Sequence, residues 1–365
     1  MLSLLRKLKE MLLNHLKIAL RNFRKSQSSF FINLIGLSAG IMSTLLIVLW
    51  IQDEFQVDKF HKDSDLIYRA MEHQFYANGD VMTTWSTPGI LAAELKLEVP
   101  EIEYATMASC EIQHLLSKED KNLRFEGYWA DSDFFEIFSF DLIEGKKDLI
   151  FKDLNTMVIS ESLAKAFFGD ESALGQSLQI DRDESFKITG IFKDIKENST
   201  LEFDYVLNAE KWRQDNNWLR DWGSNGPRTY VKVKSGTDKE ILNDKLADFI
   251  KKRNEGSVVT LFLYPFADTY LFGRFDNGVL TGGRIEYVRL FGVIALFVLI
   301  IACINFMNLS TAKASRKAKE VGIRKALGAY RRSLISQYLI ESMVLTGFAI
   351  FLAISLVPLV LPYFN

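Results

Sequence analysis

The stretch Phe30–Ile51, FFINLIGLSAGIMSTLLIVLWI, runs for 22 residues without a charged side chain. A helix of about 20 apolar residues spans the hydrocarbon core of a bilayer. Two further runs have the same character: 287–306, which only Arg289 interrupts, and 334–364, which carries Glu341 alone. The sequence therefore predicts three membrane helices, at residues 30–51, 285–307 and 334–364.

The charges outside these runs orient the helices. Residues 1–29 contain seven Lys or Arg and one acidic residue, and residues 306–333 contain eight and one. Residues 52–284 contain 28 basic and 42 acidic residues. Because Lys and Arg are retained on the cytoplasmic side, we expect both basic segments in the cytoplasm. The chain is predicted to be a multi-pass protein of the cytoplasmic (inner) membrane, with residues 52–284 extracytoplasmic.

Two features near the N-terminus each have two interpretations. Residues 1–29 place apolar side chains on one helical face and basic ones on the other, which suits a helix on the inner membrane surface. The same residues also suit a basic flank that only sets topology. Gly36 and Gly40 lie four residues apart in the first span, which permits close helix packing, although glycine is common in membrane helices.

The extracytoplasmic region mixes strand and helix patterns. The predicted strands include 112–116, 123–129, 186–192 and 257–264. The predicted helices begin at Thr87-Pro88, at the Ser160 cap of ESLAKAFF with Gly169 closing it, and at a Thr237/Glu240 capping box that opens a helix through Lys252. Because strands and helices interleave without a repeat, the predicted fold class is an α-helical membrane protein with a large α+β extracytoplasmic domain.

Motifs for catalysis, nucleotide binding and metal binding are missing from the sequence. It contains no G-x-x-x-x-G-K-[ST], H-E-x-x-H or G-x-S-x-G, and its four histidines show no metal-ligand spacing. Asp131 and Asp133 are interpreted as caps of a helix at 134–138 rather than as a catalytic pair. The basic loops flank membrane helices and do not predict nucleic-acid binding. We therefore predict no enzyme activity, no cofactor and no metal. Cys110 and Cys303 fall in different compartments and cannot form an internal disulfide.

The segment Lys317–Ala329, KAKEVGIRKALGA, lies between the second and third spans. Glu320 and Arg324 form a favourable i,i+4 pair in a helix, and Gly328 is placed to end that helix. Two interpretations remain open from these residues alone. The helix is either a connector whose charges meet lipid headgroups or a surface on which a partner docks. Glu341 in the third span has a similar ambiguity, between a functional carboxylate and one paired at the membrane interface.

Several stretches resemble one family. Residues 308–342, NLSTAKASRKAKEVGIRKALGAYRRSLISQYLIES, are similar to the cytoplasmic loop and third helix of FtsX/MacB-type ABC transporter permeases. Residues 129–146, WADSDFFEIFSFDLIEGK, 158–181, VISESLAKAFFGDESALGQSLQID, and 186–207, FKITGIFKDIKENSTLEFDYVL, resemble the MacB-like periplasmic core domain. These motifs follow the family's order over nearly the whole chain.

The resemblance implies a permease subunit that couples ATP hydrolysis by a separate ABC ATPase to movements of its extracytoplasmic domain, for export or mechanotransmission. It implies a domain of two lobes, with about 105–205 inserted into the other. It also implies a second permease copy, a periplasmic or outer-membrane partner, and surrounding membrane lipids. The family's ATPase-coupling helix corresponds here to Glu320, Val321, Gly322, Ile323, Arg324, Lys325, Ala326, Leu327, Gly328 and Ala329.

The chain departs from the family pattern in two respects. MacB itself carries an ATPase in the same chain, and this sequence has none. The family also has a fourth membrane helix, whereas this sequence stops just past the third, so we expect a fragment of a longer permease or a truncated subunit. The alternative function is a membrane-anchored sensory or scaffold protein whose extracytoplasmic domain binds a ligand. The sequence does not predict the exported substrate.

Overall fold

The chain divides into two compact units, Met1–Asp53 with Tyr287–Asn365, and Glu54–Glu286. A computed structural model describes residues 21, 27–195, 198–316, 318–328 and 330–363. The predicted basic helix over residues 1–29 lies almost wholly outside the described residues.

The helices in the described part of the chain are, in order, α1 Gln27–Glu54, α2 Leu91–Glu98, α3 Phe134–Ile137, α4 Glu161–Phe168, α5 Ala209–Asp215, α6 Lys239–Leu246, α7 Phe266–Thr269, α8 Ile285–Arg316, α9 Ala318–Ala326 and α10 Arg331–Val360. Short 3-10 turns are found at Ser64–Leu66, Lys147–Leu149, Asn217–Arg220 and Leu361–Tyr363.

The strands are β1 Ile67–Phe75, β2 Val81–Thr84, β3 Ile102–Ala108, β4 Ile112–Lys118, β5 Lys121–Ala130, β6 Leu142–Gly145, β7 Thr156–Ser160, β8 Ser177–Ile180, β9 Glu184–Phe192, β10 Tyr205–Asn208, β11 Arg228–Val233, β12 Val259–Pro265, β13 Arg274–Asp276 and β14 Val279–Gly282.

Three helices are long and apolar enough to cross a membrane, at Gln27–Glu54, Ile285–Ala312 and Leu334–Tyr363. They correspond to the three predicted spans. The first two helices extend past the apolar residues that predicted them, whereas α10 begins three residues early, at Arg331, and ends at Val360. Charged flanks end a hydrophobic run without interrupting the backbone hydrogen bonds. The second extends furthest, since α8 continues to Arg316. α10 includes Pro358 near its end, and a 3-10 turn follows.

Within the described residues of the second unit, twelve strands form one sheet, and β13 and β14 form a separate hairpin. One end of the sheet is the antiparallel series β3, β11, β1 and β12, with β2 added beside β1. At the other end the pairings close on themselves, because β5 pairs with both β4 and β10 while β8, β9 and β7 complete the ring. β3 and β5 join the two parts at Ala108 and Ala130.

The domain therefore has two lobes, an open sheet covered by α2 and α6 and a closed ring of six strands. Each lobe has its own buried apolar cluster. The open sheet packs Leu91, Leu246 and Leu261 together, and the ring packs Met157, Ile188 and Leu207 together. The predicted boundaries of the inserted lobe, about 105–205, stay a prediction.

An aromatic cluster fills the space between the two lobes. Its rings are in edge-to-face or tilted contact, as between Phe138 and Tyr230 at 5.2 Å and between Phe134 and Phe203 at 5.5 Å. Phe266 of α7 reaches the same cluster through Phe138. Aromatic pairs of this geometry contribute beyond the apolar area that they bury. The cluster therefore stabilises the lobes against each other.

The structure confirms the predicted helix cap at Ser160 but not the predicted capping box at Thr237. Ser160 caps α4, because its Oγ accepts a hydrogen bond from the Leu163 N–H at 3.1 Å, and Gly169 follows the helix, as predicted. The predicted capping box at Thr237 is wrong. Asp238 caps α6 by accepting from the backbone N–H of Glu240 and Ile241, and the helix ends at Leu246 rather than at Lys252. The Asp238 carboxylate, one residue after Thr237, binds the free N–H groups at the start of the helix in place of the Thr237 hydroxyl.

The helix predicted at Thr87-Pro88 begins three residues later, at Leu91. Thr87 is fully buried, and its hydroxyl forms a 2.8 Å hydrogen bond with that of Thr229. This tertiary contact holds the Thr87-Pro88 dipeptide in an extended bridge to Asn225 instead of in a helix.

We predict that Gly127→Ala destabilises the ring of six strands. A Cβ at Gly127 would lie 2.4 to 2.5 Å from the ring and carbonyl oxygen of Tyr205 on the adjacent strand β10. Such overpacking costs about 1–3 kcal/mol, measurable as a lower urea midpoint in detergent by tryptophan fluorescence. Gly223→Ala is the control, because the nearest atoms there are 3.6 Å away. Equal midpoints for the two variants would contradict the prediction.

Candidate functional site

The connector helix α9 has a well-defined end. Its last turns are closed by hydrogen bonds from Leu327 N–H to the Ile323 carbonyl and from Gly328 N–H to the Lys325 carbonyl, both 3.0 Å. Gly328 has a φ of +89°, a conformation that side chains with a Cβ rarely adopt. Gly328 therefore ends the helix where the sequence predicts. Ala329 and the side chains of Glu320 and Arg324 lie outside the described part of the structure.

Large apolar side chains of this segment are exposed. Ile323 is 55%, Leu327 82% and Tyr330 84% exposed. Ile323 and Leu327 are four residues apart, so they share one face of α9. Lys325 is exposed as well, Val321 is half-buried, and a Cβ at Gly322 would meet nothing within 4 Å. The end of α9 and the residues that follow it thus form an apolar surface, which we call the connector surface: Ile323, Leu327 and Tyr330.

Gly40 lies at a close approach of α1 and α8. A Cβ at Gly40 would lie 2.3 Å from the Cβ of Ala302. A Cβ at Gly36, one turn earlier, would lie 3.2 Å from Asn305 Nδ2. Thr44 donates a hydrogen bond to the carbonyl of Ala295 at 3.4 Å, one turn further along the same face. The two predicted packing glycines therefore both face α8, and Gly40 has the tighter contact.

The third span packs on the same pair of helices. Ala349 is fully buried in a cluster with Leu37 and Ala302, and Leu345 packs against Phe30 and Phe306. Glu341, one turn before Leu345, is buried as well. The spans thus form a packed three-helix unit whose remaining apolar surface is exposed.

The extracytoplasmic ends of α1 and α8 are joined by an ion pair. Arg284, directly before α8, donates from Nε to Glu54 Oε2 at 2.7 Å and from Nη2 to Glu54 Oε1 at 3.0 Å. The Glu54 side chain is only 6% exposed. The Arg284 guanidinium also lies 4.8 Å from the ring centre of Tyr270. We call Glu54, Arg284 and Tyr270 the clasp.

The surroundings of Arg284 and Tyr270 shift the pKa of both side chains upward. The hydrogen bond to Glu54 raises the pKa of Arg284 above its ordinary value. Burial, and then the charge of Glu54, raise the pKa of Tyr270 to about 12, so this phenol stays neutral. A bidentate carboxylate–guanidinium pair is both strong and geometrically specific. The clasp therefore holds two helix ends together that are 230 residues apart in sequence.

The chain after α1 is tied to the ring lobe by Asp58. This fully buried residue, with a φ of +60°, accepts hydrogen bonds from the backbone N–H and the hydroxyl of Thr200 at 2.8 and 2.5 Å. Burial raises the pKa of Asp58, although both hydrogen bonds oppose the shift. His61 continues the link, because its Nδ1 accepts from the Ser139 N–H at 3.2 Å.

The interpretation of Asp131 and Asp133 as helix caps is wrong. Neither side chain caps α3. Asp131 accepts two hydrogen bonds from Arg213 at 2.6 and 2.7 Å, and Asp133 accepts from Lys96 at 2.5 Å and from the Ala105 N–H at 3.2 Å. Asp131 is half-buried and Asp133 is buried. At these positions each carboxylate binds a cationic side chain rather than the N–H groups at the start of α3. They hold α5 and α2 to the sheet.

In the described part of the chain, no group of three or more His, Cys, Asp or Glu is placed to hold a metal ion. Cys110 and Cys303 are free thiols.

Family models match both units. The MacB-like periplasmic core domain matches residues 30–249, and the FtsX-like permease C-terminal model matches residues 292–365. The chain belongs to the FtsX/MacB-type ABC transporter permeases. This confirms the resemblance found in the sequence. The permease is a multi-pass inner-membrane protein whose α+β domain is extracytoplasmic.

Curated relatives agree with this assignment. An uncharacterised ABC transporter permease of Bacillus subtilis, YvrN, is 23% identical over 92% of this chain and 84% of its own length. The macrolide export ATP-binding/permease protein MacB of Bdellovibrio bacteriovorus is 25% identical, but the match covers 52% of this chain and only 28% of MacB. The chain thus spans most of one relative and less than a third of the other.

A solved structure resembles the extracytoplasmic domain. It is a domain of a permease-like protein from Porphyromonas gingivalis, with 27% identity and a TM-score of 0.50, and the match covers 56% of this chain and 93% of that one. This likeness supports the α+β fold of the domain. Homologues of this kind are permease subunits, so the chain is a permease subunit in which we identify no catalytic motif.

Sequence reasoning missed the clasp. Glu54 follows Asp53 just after the first span, Arg284 lies just before the second, and their opposite signs were the available signal. The charge asymmetry of the loops predicts topology but does not specify that these two residues meet.

We predict that Arg284→Met lowers the stability of the extracytoplasmic domain more than Arg274→Met does. Arg274 pairs with Glu286 at 2.5 Å, but both side chains are about half exposed, and such a pair is worth under about 1 kcal/mol. Arg284→Met leaves a buried carboxylate without its partner, at about 1–2 kcal/mol after allowing for the exposure of the guanidinium. Thermal unfolding in detergent measures both. A larger loss for Arg274→Met would contradict this ranking.

Proposed function

We propose that this permease couples ATP hydrolysis by a separate ABC ATPase subunit to movement of its extracytoplasmic domain, in export or mechanotransmission. The observation that carries the proposal is the exposed connector surface on a short helix held between two spanning helices. Its apolar side chains are unfavourable in water, and they lie on the segment that resembles the family's coupling helix.

The connector surface suits docking on a folded partner. Exposed apolar anchors flanked by basic residues are the usual composition of a helix that fits a groove. Tyr330, directly after the segment, adds an amphipathic ring to Ile323 and Leu327. In this proposal the residues Glu320–Ala329 form the coupling helix, and the ATPase supplies the complementary groove.

Movement would pass outward through the two spans that the clasp joins. α8 is one continuous helix from Ile285 to Arg316, about 48 Å at 1.5 Å per residue. It packs on α1 through Gly40 and Ala302. Because Arg284 binds Glu54, a displacement of either helix end would act on the other. The proposed path is therefore α9, α8 with α1, and the clasp.

The chain connects the clasp to two neighbouring strands of the open sheet, β1 and the outermost strand β12. β1 begins 13 residues after Glu54, and β12 ends 19 residues before Arg284. These strands pair antiparallel from Tyr68 opposite Pro265 to Gln74 opposite Val259. Two spans held together by an ion pair thus continue into two strands held together by backbone hydrogen bonds. A shift of the spans would be received by β1 and β12.

The exposed apolar side chains of the spans require other partners. Examples are Phe31, Ile301 and Phe351, each more than half exposed. Membrane lipids and a second permease copy would cover them, which accords with the dimer expected from the family. A periplasmic or outer-membrane partner of the extracytoplasmic domain belongs to the same proposal.

We predict that Leu327→Glu abolishes association with the ATPase subunit. The substitution places a charge on the apolar anchor of the connector surface and leaves the spans unchanged. The full chain is purified from its native membranes, and co-purifying ABC ATPase is identified by mass spectrometry and by ATP hydrolysis. Leu97→Glu is the matched control, because Leu97 is 80% exposed as well but belongs to the extracytoplasmic domain. Full ATPase recovery with Leu327→Glu would rule out docking at this surface.

We also predict that Arg284→Met uncouples the domain while the ATPase stays bound. In the wild-type complex, ATP should change hydrogen exchange in β12 and in the segment up to Arg284. Without the clasp we expect that change to fall by more than half at unchanged ATPase recovery. Arg274→Met should respond like the wild type, since its ion pair lies at the surface. A full ATP response in Arg284→Met would refute transmission through the clasp.

A further inference from the structure

A cavity of about 440 Å³ lies beside β1 in the open-sheet lobe, and none of the clasp residues lines it. Its walls combine apolar, aromatic and neutral polar side chains. Those that matter here are Glu72, Tyr76, Trp222, Asn225, Ile250 and Val258. The only carboxylate among the residues that line it is Glu72.

Glu72 occupies a position that the strand pattern reserves for an apolar residue. On β1 it shares a face with Ala70, which belongs to the buried apolar cluster of this lobe. It stands between Thr84 of β2 and Leu261 of β12, so strands cover it on both sides. As a result Glu72 is only 1% exposed. A carboxylate at the margin of an apolar core is costly unless something compensates it.

Within the described residues, only one of the two carboxylate oxygens of Glu72 has hydrogen-bond partners. Glu72 Oε2 accepts hydrogen bonds from Asn225 Nδ2 at 2.6 Å and from Gln74 Nε2 at 3.1 Å. Oε1 is buried and has no hydrogen-bond partner in the described structure. None of the ion pairs among the described residues includes Glu72. Arg253, whose guanidinium lies 5.6 Å from the Trp222 ring centre, is paired with Glu98.

A buried carboxylate beside aromatic and apolar side chains suits a ligand with a positive charge on a hydrocarbon stem. Burial raises the pKa of Glu72, and the two amide donors only partly oppose the shift, so a positive charge at Oε1 would relieve the cost. Trp222 and Tyr76 supply aromatic rings, which attract cations. Ile250 and Val258 offer apolar surface to a hydrocarbon stem. An anion would instead meet a like charge, and a purely apolar ligand would leave Oε1 unpaired.

We propose that this cavity binds an alkylammonium or alkylguanidinium group, which donates to Oε1 of Glu72 and rests its stem on the apolar wall. Two sources present this chemistry: a lysine or arginine side chain of a polypeptide, and a free diamine. Half-exposed Phe75, Tyr76 and Val258 stand among the lining residues and leave the site open to either.

The test uses the full chain in detergent and isothermal titration calorimetry. The probes are Nα-acetyl-lysine methylamide and its norleucine counterpart, which has a similar stem without the charge, and 1,5-diaminopentane for the free amine. We expect the lysine probe or the diamine to bind roughly tenfold or more tightly than norleucine, as for a charged hydrogen bond. Preference for the lysine probe assigns the site to polypeptides, and preference for the diamine to free amines. Equal binding of all three overturns the proposal.

Glu72→Gln removes the charge while its side-chain oxygen still accepts from Asn225. It should reduce affinity for the charged probe to that for norleucine. Glu126→Gln is the control, because Glu126 lines a different cavity in the ring lobe. Thermal unfolding checks that Glu72→Gln is folded. Half-exposed Tyr76→Ala, which should weaken binding severalfold, provides a second variant if it is not. Unchanged affinity in a folded Glu72→Gln protein refutes the assignment.

Discussion

The ion pair of the buried Glu54 carboxylate with Arg284 constrains the extracytoplasmic unit, because it joins the two ends of that unit's sequence. A charge that is 6% exposed cannot be left without a partner, and Arg284 supplies one from the other end of the extracytoplasmic sequence. The first span must therefore end next to the residue at which the second begins. That proximity allows β1 and β12, which continue from those points, to lie side by side as an antiparallel pair. The other strands of the open sheet connect to this pair through β1.

The ring lobe comprises about a hundred residues and is attached to one edge of that sheet. Its strands close on themselves, so it exposes few free edges and buries its own apolar cluster. Attachment then needs only a short join at Ala108 and Ala130, the aromatic cluster around Phe138, and the buried bond from Asp58 to Thr200. The last contact connects the ring lobe to the segment that leaves the first span.

Much of this could be predicted from the sequence because local patterns determine it. The uncharged run at 30–51, the charge asymmetry of the loops and the Ser160 cap each depend on neighbouring residues alone. The strand at 123–129 was also evident. Ring closure was not, because β5 pairs in parallel with β10 about eighty residues later, and no local signal specifies that partner.

The site residues divide in the same way. Gly328 could be predicted as a helix end, because a positive φ after a basic amphipathic run is a local requirement. The clasp and the partners of Asp131 and Asp133 could not, since each carboxylate binds a cation more than thirty residues away. The sequence favours the nearest backbone N–H groups as partners of Asp131 and Asp133. In the structure, both carboxylates form long-range ion pairs instead.

The position of Glu72 links the proposed cation site to the proposed movement. β1 carries Glu72, β12 carries Leu261 opposite it, and the cavity reaches Val258 at the start of β12. Any shift of β1 against β12 that follows the spans must change the distance between the walls of the cavity. Coupling between two sites is reciprocal in free energy. A cation that binds one arrangement of these strands more tightly therefore favours the matching arrangement of α1 and α8, in proportion to its difference in affinity.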